Sequence, residues 1–273
     1  MKPLTDDIVV VRGGGDIATG VIQKLHRAGL RVAILETGQP TAIRRTVALC
    51  EAVYDGEARV EDMTARLIPD PAGCAAVWAQ GDIPVLVDPG ALMVPALGPD
   101  VVVDALLAKR NLGTHTGMAG IVIALGPGFA APTNAHAIVE TMRGHMLGRV
   151  VFQGSALPNT GIPGEIGGKG AERVLRAPCA GTVKHLRQIG DAVQAGQAVL
   201  SVAGQTVTAP FGGLLRGLIR EGLPVFAGMK VGDVDPRADS DWHSISDKAR
   251  CVGGGVLEAY LFLRKARADG KPL

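Results

Sequence analysis

The stretch IVVVRGGGDIATGVIQKLHRAGLRVAILE, residues 8–36, decides how the first half of the chain reads. Its opening IVVV is a continuous apolar run, the pattern of a strand covered on both faces. Three glycines follow. DIATGVIQKLHRAGL then places Ile17, Val21, Leu25 and Ala28 on one helical stripe, and Gly29 is suited to end that helix. RVAILE reads as a second buried strand. Strand, glycine turn, helix and strand make a βαβ beginning.

Within the turn, Gly13, Gly15 and Ala18 fit the G-x-G-x-x-A pattern of a Rossmann-like dinucleotide turn. One glycine makes the turn and another admits a pyrophosphate, while the helix N-terminus supplies free N–H groups. The expected cofactor-binding residues here are Gly13, Gly14, Gly15 and Asp16, with Glu36 at the end of the second strand, where an acid commonly binds ribose hydroxyls. Two residues depart from the pattern. Arg12 precedes the first glycine, and Asp16 either caps the helix or repels a phosphate beside it. Arg44 and Arg45, in QPTAIRR, are placed to reach a phosphate or to form a solvated face; Arg44 joins the candidate set.

Further strands are predicted at PVLVD, DVVVDAL and GIVIAL. Helices are predicted over part of PTAIRRTVALCEAVY and around Asn134–Met142, so the sheet should be mainly parallel. Residues 111–139 lack Asp, Glu, Lys and Arg, but GPGF, Pro132, Asn134 and His136 interrupt them, which argues against a membrane span. With a net charge of +2, no long basic run and nine aromatics, a nucleic-acid partner is not expected. Cys50, Cys74, Cys179 and Cys251 are dispersed, without a C-x-x-C pair, and the N-terminus carries acids before its apolar run. A reducing, cytoplasmic setting is the expectation.

An internal repeat occupies the later part. APCAGTVKHLRQIGDAVQAGQAVLSV begins at Ala177 and APFGGLLRGLIREGLPVFAGMKVGDV at Ala209, in register at an offset of 32. Two intertwined half-barrels satisfy such a repeat. Over residues 174–235 it resembles lipoyl- and biotinyl-type domains. In that family the modified lysine projects from the central hairpin; here the hairpin, near SVAGQTV, has none, and Lys184 and Lys230 lie elsewhere. Neither lipoate nor biotin is therefore expected, and the module reads as a docking or lid element.

HAIVETMRGHMLGRV sets His136, Glu140 and Arg143 at helical i, i+4, i+7 spacing, with His145 beyond and His115 in GTHTG. His136 and Glu140 alone lack the further ligands of a metal site, so no metal is assigned. Arg143 is the anion-ligand candidate. PNTGIPG presents Asn159 and Thr160 in a loop that is either phosphate-facing or a linker. SISDKARCVGGG offers Ser246, Asp247, Lys248 and Arg250 beside a candidate thiol, Cys251, as a segment expected to pack back on the first domain and complete its pocket, and Gly253–Gly255 are expected to lead into a helix.

The segments RGGGDIATGVIQKLHRAG, ETGQPTAIRRTV, AKRNLGT, GPGF, ETMRGHMLGRV, PNTGIPG and ISDKARCVGGGVLEA together resemble the YqeB-like accessory proteins of the selenium-dependent molybdenum hydroxylase system. The resemblance implies a helper in maturing a molybdenum hydroxylase, and that hydroxylase as partner; it carries over no catalytic residue. The chain is thus expected to be α/β: a Rossmann-like parallel-sheet domain over 1–172, a lipoyl/biotinyl-like β half-barrel repeat over 173–238, and a C-terminal helical segment over 239–273 packing on the first domain. The expected ligand is a nucleotide or dinucleotide, NAD(P) or a molybdopterin dinucleotide. An NAD(P)-dependent oxidoreductase and a ligand-free adaptor docking the hydroxylase are the alternatives. Self-association into a homo-oligomer is left open.

Overall fold

A computed structural model describes residues 3–161 and 164–273, and divides the chain into two compact units. The first takes in residues 1–40, 48–160 and 245–273; the second takes in 41–47 and 161–244. Ile162 and Pro163 of the PNTGIPG motif lie outside the described residues, as do Met1 and Lys2 of the N-terminal run.

The first unit is built on a nine-stranded sheet. In chain order its elements are β1 (Ile8–Arg12), α1 (Asp16–Arg27), β2 (Arg31–Glu36), α2 (Ala52–Asp55), β3 (Glu57–Val60), β4 (Met63–Leu67), α3 (Cys74–Ala79), β5 (Ile83–Val87), α4 (Val94–Leu97), β6 (Val101–Asp104), β7 (Ile121–Leu125), β8 (Ala137–Val139) and β9 (Val150–Val151). The sheet order is β3-β4-β5-β2-β1-β6-β7-β8-β9. The seven strands from β4 to β8 are parallel, and the edge strands β3 and β9 are antiparallel to their neighbours. The buried runs VVV of β1 and IVIAL of β7 form these central strands because both faces are covered. The strand order reverses between β1 and β6, so a crevice is expected beyond their carboxyl ends.

Two helix expectations are corrected. Residues around Asn134–Met142 are not a helix: Ala137–Val139 is the fully buried strand β8, in register with Ile123–Leu125. Periodicity alone cannot separate a short buried strand from a helical turn. The region PTAIRRTVALCEAVY holds only 3-10 turns at Arg45–Val47 and Leu49–Glu51, then the short α2.

The last helix is also longer than expected. It begins at Asp247 behind the Ser246 cap, whose hydroxyl accepts from the N–H of Ala249 at 3.2 Å, and runs to Ala268 as α5, straight through Gly253–Gly255. A glycine inside a helix costs about 0.5–1 kcal/mol. Close packing accounts for two of them. A Cβ on Gly253 would lie 2.9 Å from Lys24 Cγ and against the Gly20 carbonyl, and one on Gly255 would strike Gly148. Across the same contact, a Cβ on Gly20 would lie 2.6 Å from the carbonyl carbon of Ala249. Residue numbers rise together along the two helices, so α5 runs parallel to α1. Its far end is fixed where Tyr260 Oη and Arg264 Nε both donate to Asp7 Oδ2, at 2.6 and 2.7 Å. Both helices therefore start at the carboxyl edge of the sheet.

The second unit holds two four-stranded antiparallel sheets. Its strands are β10 (Val174–Arg176), β11 (Gly181–His185), β12 (Ala192–Val193), β13 (Ala198–Val202), β14 (Gln205–Thr208), β15 (Gly213–Leu218), β16 (Pro224–Val225) and β17 (Lys230–Asp235). The sheet orders are β10-β17-β15-β12 and β14-β13-β11-β16. Exchanging the halves of the repeat converts one order into the other, and each sheet contains strands from both halves. The bonds repeat as well. Gly196 N–H donates to Ala209 O, and Gly228 N–H to Ala177 O, both at 2.8 Å; Gly190 to Leu215 O and Gly222 to Val183 O correspond at 2.8 and 2.9 Å. The β13–β14 hairpin turns on Ala203 and Gly204, both at positive φ, the two-residue turn whose twist suits a hairpin.

Buried charge holds this unit in shape. Asp235 is fully buried, accepts from Arg237 Nε and Nη2 at 2.9 and 2.8 Å, from Ser240 Oγ at 2.9 Å, and pairs with Arg216 at 3.3 Å. Burial raises its carboxyl, but the bonds and charge of Arg237, with the Ser240 bond, outweigh that and hold it at about 2. This lies below the ordinary aspartate value, so the contribution is complete above roughly pH 4 and is lost as pH falls toward 2. Asp235→Ala is expected to lower unfolding stability at pH 7 by about 3–5 kcal/mol, because it strands buried Arg216. Asp235→Asn is expected to flatten the pH dependence of the urea midpoint between those two pH values.

Candidate functional site at the carboxyl edge of the sheet

Gly13 leaves β1 at φ 97°, with its N–H on Leu35 O at 2.8 Å. Gly14 donates to Glu36 Oε2 at 2.8 Å, and its carbonyl accepts from Cys50 N–H at 2.9 Å. Gly15 is the N-cap of α1 and brings no side chain to it. Asp16 is the first helical residue, its Oδ1 accepting from Ile17 N–H at 2.8 Å. A Cβ built on Gly15 meets nothing within 4 Å, whereas one on Gly14 would lie 2.9 Å from Cys50 N. The turn is thus covered at Gly14 and open at Gly15.

Buried carboxylates stand at the ends of four parallel strands. Glu36 follows Leu35 of β2; besides Gly14 it accepts from Thr37 N–H at 2.7 Å, and burial raises its carboxyl. Asp88, just past β5, accepts from Leu92 and Met93 N–H at 3.0 and 2.7 Å. Asp104 ends β6, accepts from Leu106 N–H at 3.2 Å and Thr114 Oγ1 at 2.5 Å, and pairs with Arg12 at 3.5 Å. Arg12 also donates to the Thr114 hydroxyl and to Leu112 O, so this pair anchors the loop that carries Lys109 and Arg110. Glu140, just past β8, accepts three backbone bonds at 2.7 Å, from Thr141, Met142 and Leu157.

The remaining expected site residues divide. Arg143 forms a fork with Asp247, at 2.9 and 3.2 Å, joining the loop after β8 to the start of α5. Asn159 is exposed, two residues beyond the Leu157 that Glu140 holds. Arg44 belongs to the second unit, where it donates to Ser244 O at 3.2 Å. His136 and Glu140 share no helical face, because β8 lies between them. His136 Nδ1 accepts from Val122 N–H at 2.8 Å, and burial, then the Arg267 charge, lowers its pKa. Among the described residues no group of three or more His, Cys, Asp or Glu is arranged to hold a metal ion. Cys251 is exposed on the second turn of α5, near Leu147 O at 3.3 Å.

Lys248 belongs to SISDKARCVGGG, the segment that the sequence offers, with Ser246, Asp247, Arg250 and Cys251, as packing back on the first domain. It is the second residue of α5 and is half-buried, and its side chain has no hydrogen bond or ion pair among the described residues. Burial lowers its pKa, and the Arg143 charge adds to this; Asp16, Glu140 and Asp247 oppose it. Lys248 therefore lies within electrostatic reach of the first residue of α1 and of the loop after β8. Only the folded arrangement of α1 and α5 creates this neighbourhood.

No family model matches this chain. It is 48% identical over 262 residues to the uncharacterized protein YqeB of Escherichia coli strain K12, a match covering 96% of this chain and 48% of the relative. The similarity to that relative runs over nearly the whole of this chain. It spans about half the length of that curated relative. Among solved structures, the product-bound ectoine utilization protein EutE (DoeB) from Ruegeria pomeroyi is 12% identical, with 84% of this chain and 85% of that one covered and a TM-score of 0.25. An aspartoacylase family protein from Mesorhizobium loti is 10% identical, with 85% of each chain covered and a TM-score of 0.25. Likeness at those scores supports no functional argument. Among the described residues no helix is long and apolar enough to cross a membrane.

Glu140→Ala is expected to cost about 3 kcal/mol or more, since it strands three backbone donors at roughly 1–3 kcal/mol each. Urea unfolding checks this. Faster hydrogen exchange should be confined to the amides of Thr141, Met142 and Leu157 at low denaturant.

Proposed function

We propose that this chain is an accessory factor in maturing a selenium-dependent molybdenum hydroxylase, and that it binds a nucleotide or nucleotide-bearing cofactor at the carboxyl edge of its parallel sheet. The observation that carries the binding reading is Lys248. A half-buried ammonium with no ion pair among the described residues belongs to the first turn of α5, the helix that packs parallel to α1 and starts with it at the carboxyl edge. Helix N-termini and a cation together favour a phosphate. The open backbone at Gly15 provides the approach. The hydroxylase half of the reading rests on the YqeB-like segments, and the repeat unit serves as its docking module.

Gly15→Val is expected to leave the melting temperature within about 2 °C, since the added Cβ meets open space, and to weaken nucleotide binding at least tenfold. Lys248→Met should weaken it similarly. Calorimetry with NADH, CTP and a molybdopterin dinucleotide, alongside native mass spectrometry of the protein as purified, makes the test. Absence of binding by all three, with no ligand carried through purification, would sink the nucleotide reading.

The hairpin apex, Ala203–Gly204, offers no lysine for a swinging arm. Intact-mass measurement is expected to find no lipoyl or biotinyl addition. An addition mapped to Lys184 or Lys230 would overturn the docking role.

A further inference from the structure

The inner face of α5 is fully used: Val252, Val256, Ala259, Tyr260 and Leu263 are buried, and the helix packs on α1, β7 and β8. Its outer face is open. Cys251, Gly254, Glu258, Leu261, Phe262 and Lys265 recur at helical spacing and share an arc of about 100°. Leu261 and Phe262, at the middle of this stripe, are 45% and 57% exposed. Phe262 is held rather than loose, since its ring centroid lies 4.5 Å from that of half-buried Phe152, the residue after β9. Gly254 is the member of Gly253–Gly255 that packing within the chain does not explain. A glycine weakens a helix interior, yet a Cβ at 254 meets nothing within 4 Å. One turn before Leu261 and Phe262 stands Glu258, an exposed carboxylate whose side chain has no hydrogen bond or ion pair among the described residues. One turn after them stands Lys265, exposed and bound to Asp269 at 2.5 Å.

From this face we infer that the protein pairs with a second copy of itself, α5 against α5, antiparallel about a two-fold axis between Leu261 and Phe262. In a two-fold contact the same patch serves both subunits and must be its own complement. This patch is, because an acid and a base stand at equal distances on either side of its apolar centre. Antiparallel pairing sets Leu261 against the partner subunit's Phe262 and Glu258 against the partner subunit's Lys265. Parallel pairing would set each charge against its like, which disfavours it. The antiparallel arrangement also brings Gly254 opposite the partner subunit's Asp269, where a missing side chain leaves room for the last turn of the helix. The inference is independent of the nucleotide reading.

The test is sedimentation velocity on the full chain over a micromolar concentration series, with circular dichroism to confirm folding of each variant. A concentration-dependent monomer–dimer equilibrium is expected. Glu258→Lys and Lys265→Glu should each weaken it by about tenfold or more, and the double variant should recover to within about threefold of the parent. That recovery separates a paired contact from mere damage to the surface. Mild oxidation reports the orientation: Leu261→Cys should join two copies by a disulfide near the axis, whereas Cys251, far from it, should not join to the partner subunit's Cys251. A chain that stays monomeric at every concentration would overturn the inference. So would a dimer indifferent to both charge reversals, a folded double variant that fails to recover, or ready cross-linking between the two copies of Cys251.

Discussion

A parallel sheet leaves its loops with a recurring problem at the carboxyl edge. Each strand stops, the chain turns, and backbone N–H groups lose the ladder that satisfied them. In this protein buried carboxylates take up those donors: Glu36, Asp88, Asp104 and Glu140 each accept at least one loop N–H. A carboxylate bound by backbone N–H groups gains charge-assisted bonds that offset its desolvation. The same bonds set the loop geometry at this edge, which follows from where these four acids stand. Arg12 adds a buried cation at this edge, and with Asp104 and Thr114 it fixes the loop that opens beside Gly13.

The position of α5 depends on missing side chains. Gly20 and Gly253 let the two helix backbones approach until their atoms meet, and Gly255 does the same against Gly148. Three glycines in a row weaken an isolated helix, which is why they read as a lead-in rather than an interior. Packing overrides that local preference. Because α5 must lie close and parallel to α1, its N-terminal residues arrive at the glycine turn. The fork of Arg143 on Asp247 then leaves Lys248 without a carboxylate partner among the described residues.

Much of the architecture is legible from local pattern. Apolar runs such as IVVV and GIVIAL announce central strands, since only a sheet covered on both sides tolerates them. The repeat at offset 32 is legible because glycines and valines recur where turns and strands must recur, and the paired hydrogen bonds of Gly196 and Gly228 follow that register. Where the pattern misleads, it is shared by two structures. Ala135–Val139 is apolar enough for either a buried strand or a helix turn, and its place beside β7 decides the matter. His136 and Glu140 then lose the shared face that helical spacing implies. The sequence offers Lys248 only as one of several residues in SISDKARCVGGG, because its neighbours Asp16 and Glu140 lie far away in the chain.

The glycine turn shows the same ambiguity at finer scale. Three consecutive glycines read alike, yet the fold assigns each a different task. Gly13 supplies a positive φ, Gly14 admits Cys50, and Gly15 faces open space at the start of a helix. Sequence pattern weights the three by their place in a phosphate-binding motif. The structure weights them by what stands against each, and only the third has nothing there among the described residues. An acid at the end of the second strand is likewise ambiguous until its hydrogen bonds are known. Here Glu36 is bound to the very turn whose ligand it was expected to complement. Asp16, the residue after Gly15, adds its negative charge both to the acids around Cys50 and to Glu140 and Asp247, which oppose the Arg143 charge at Lys248.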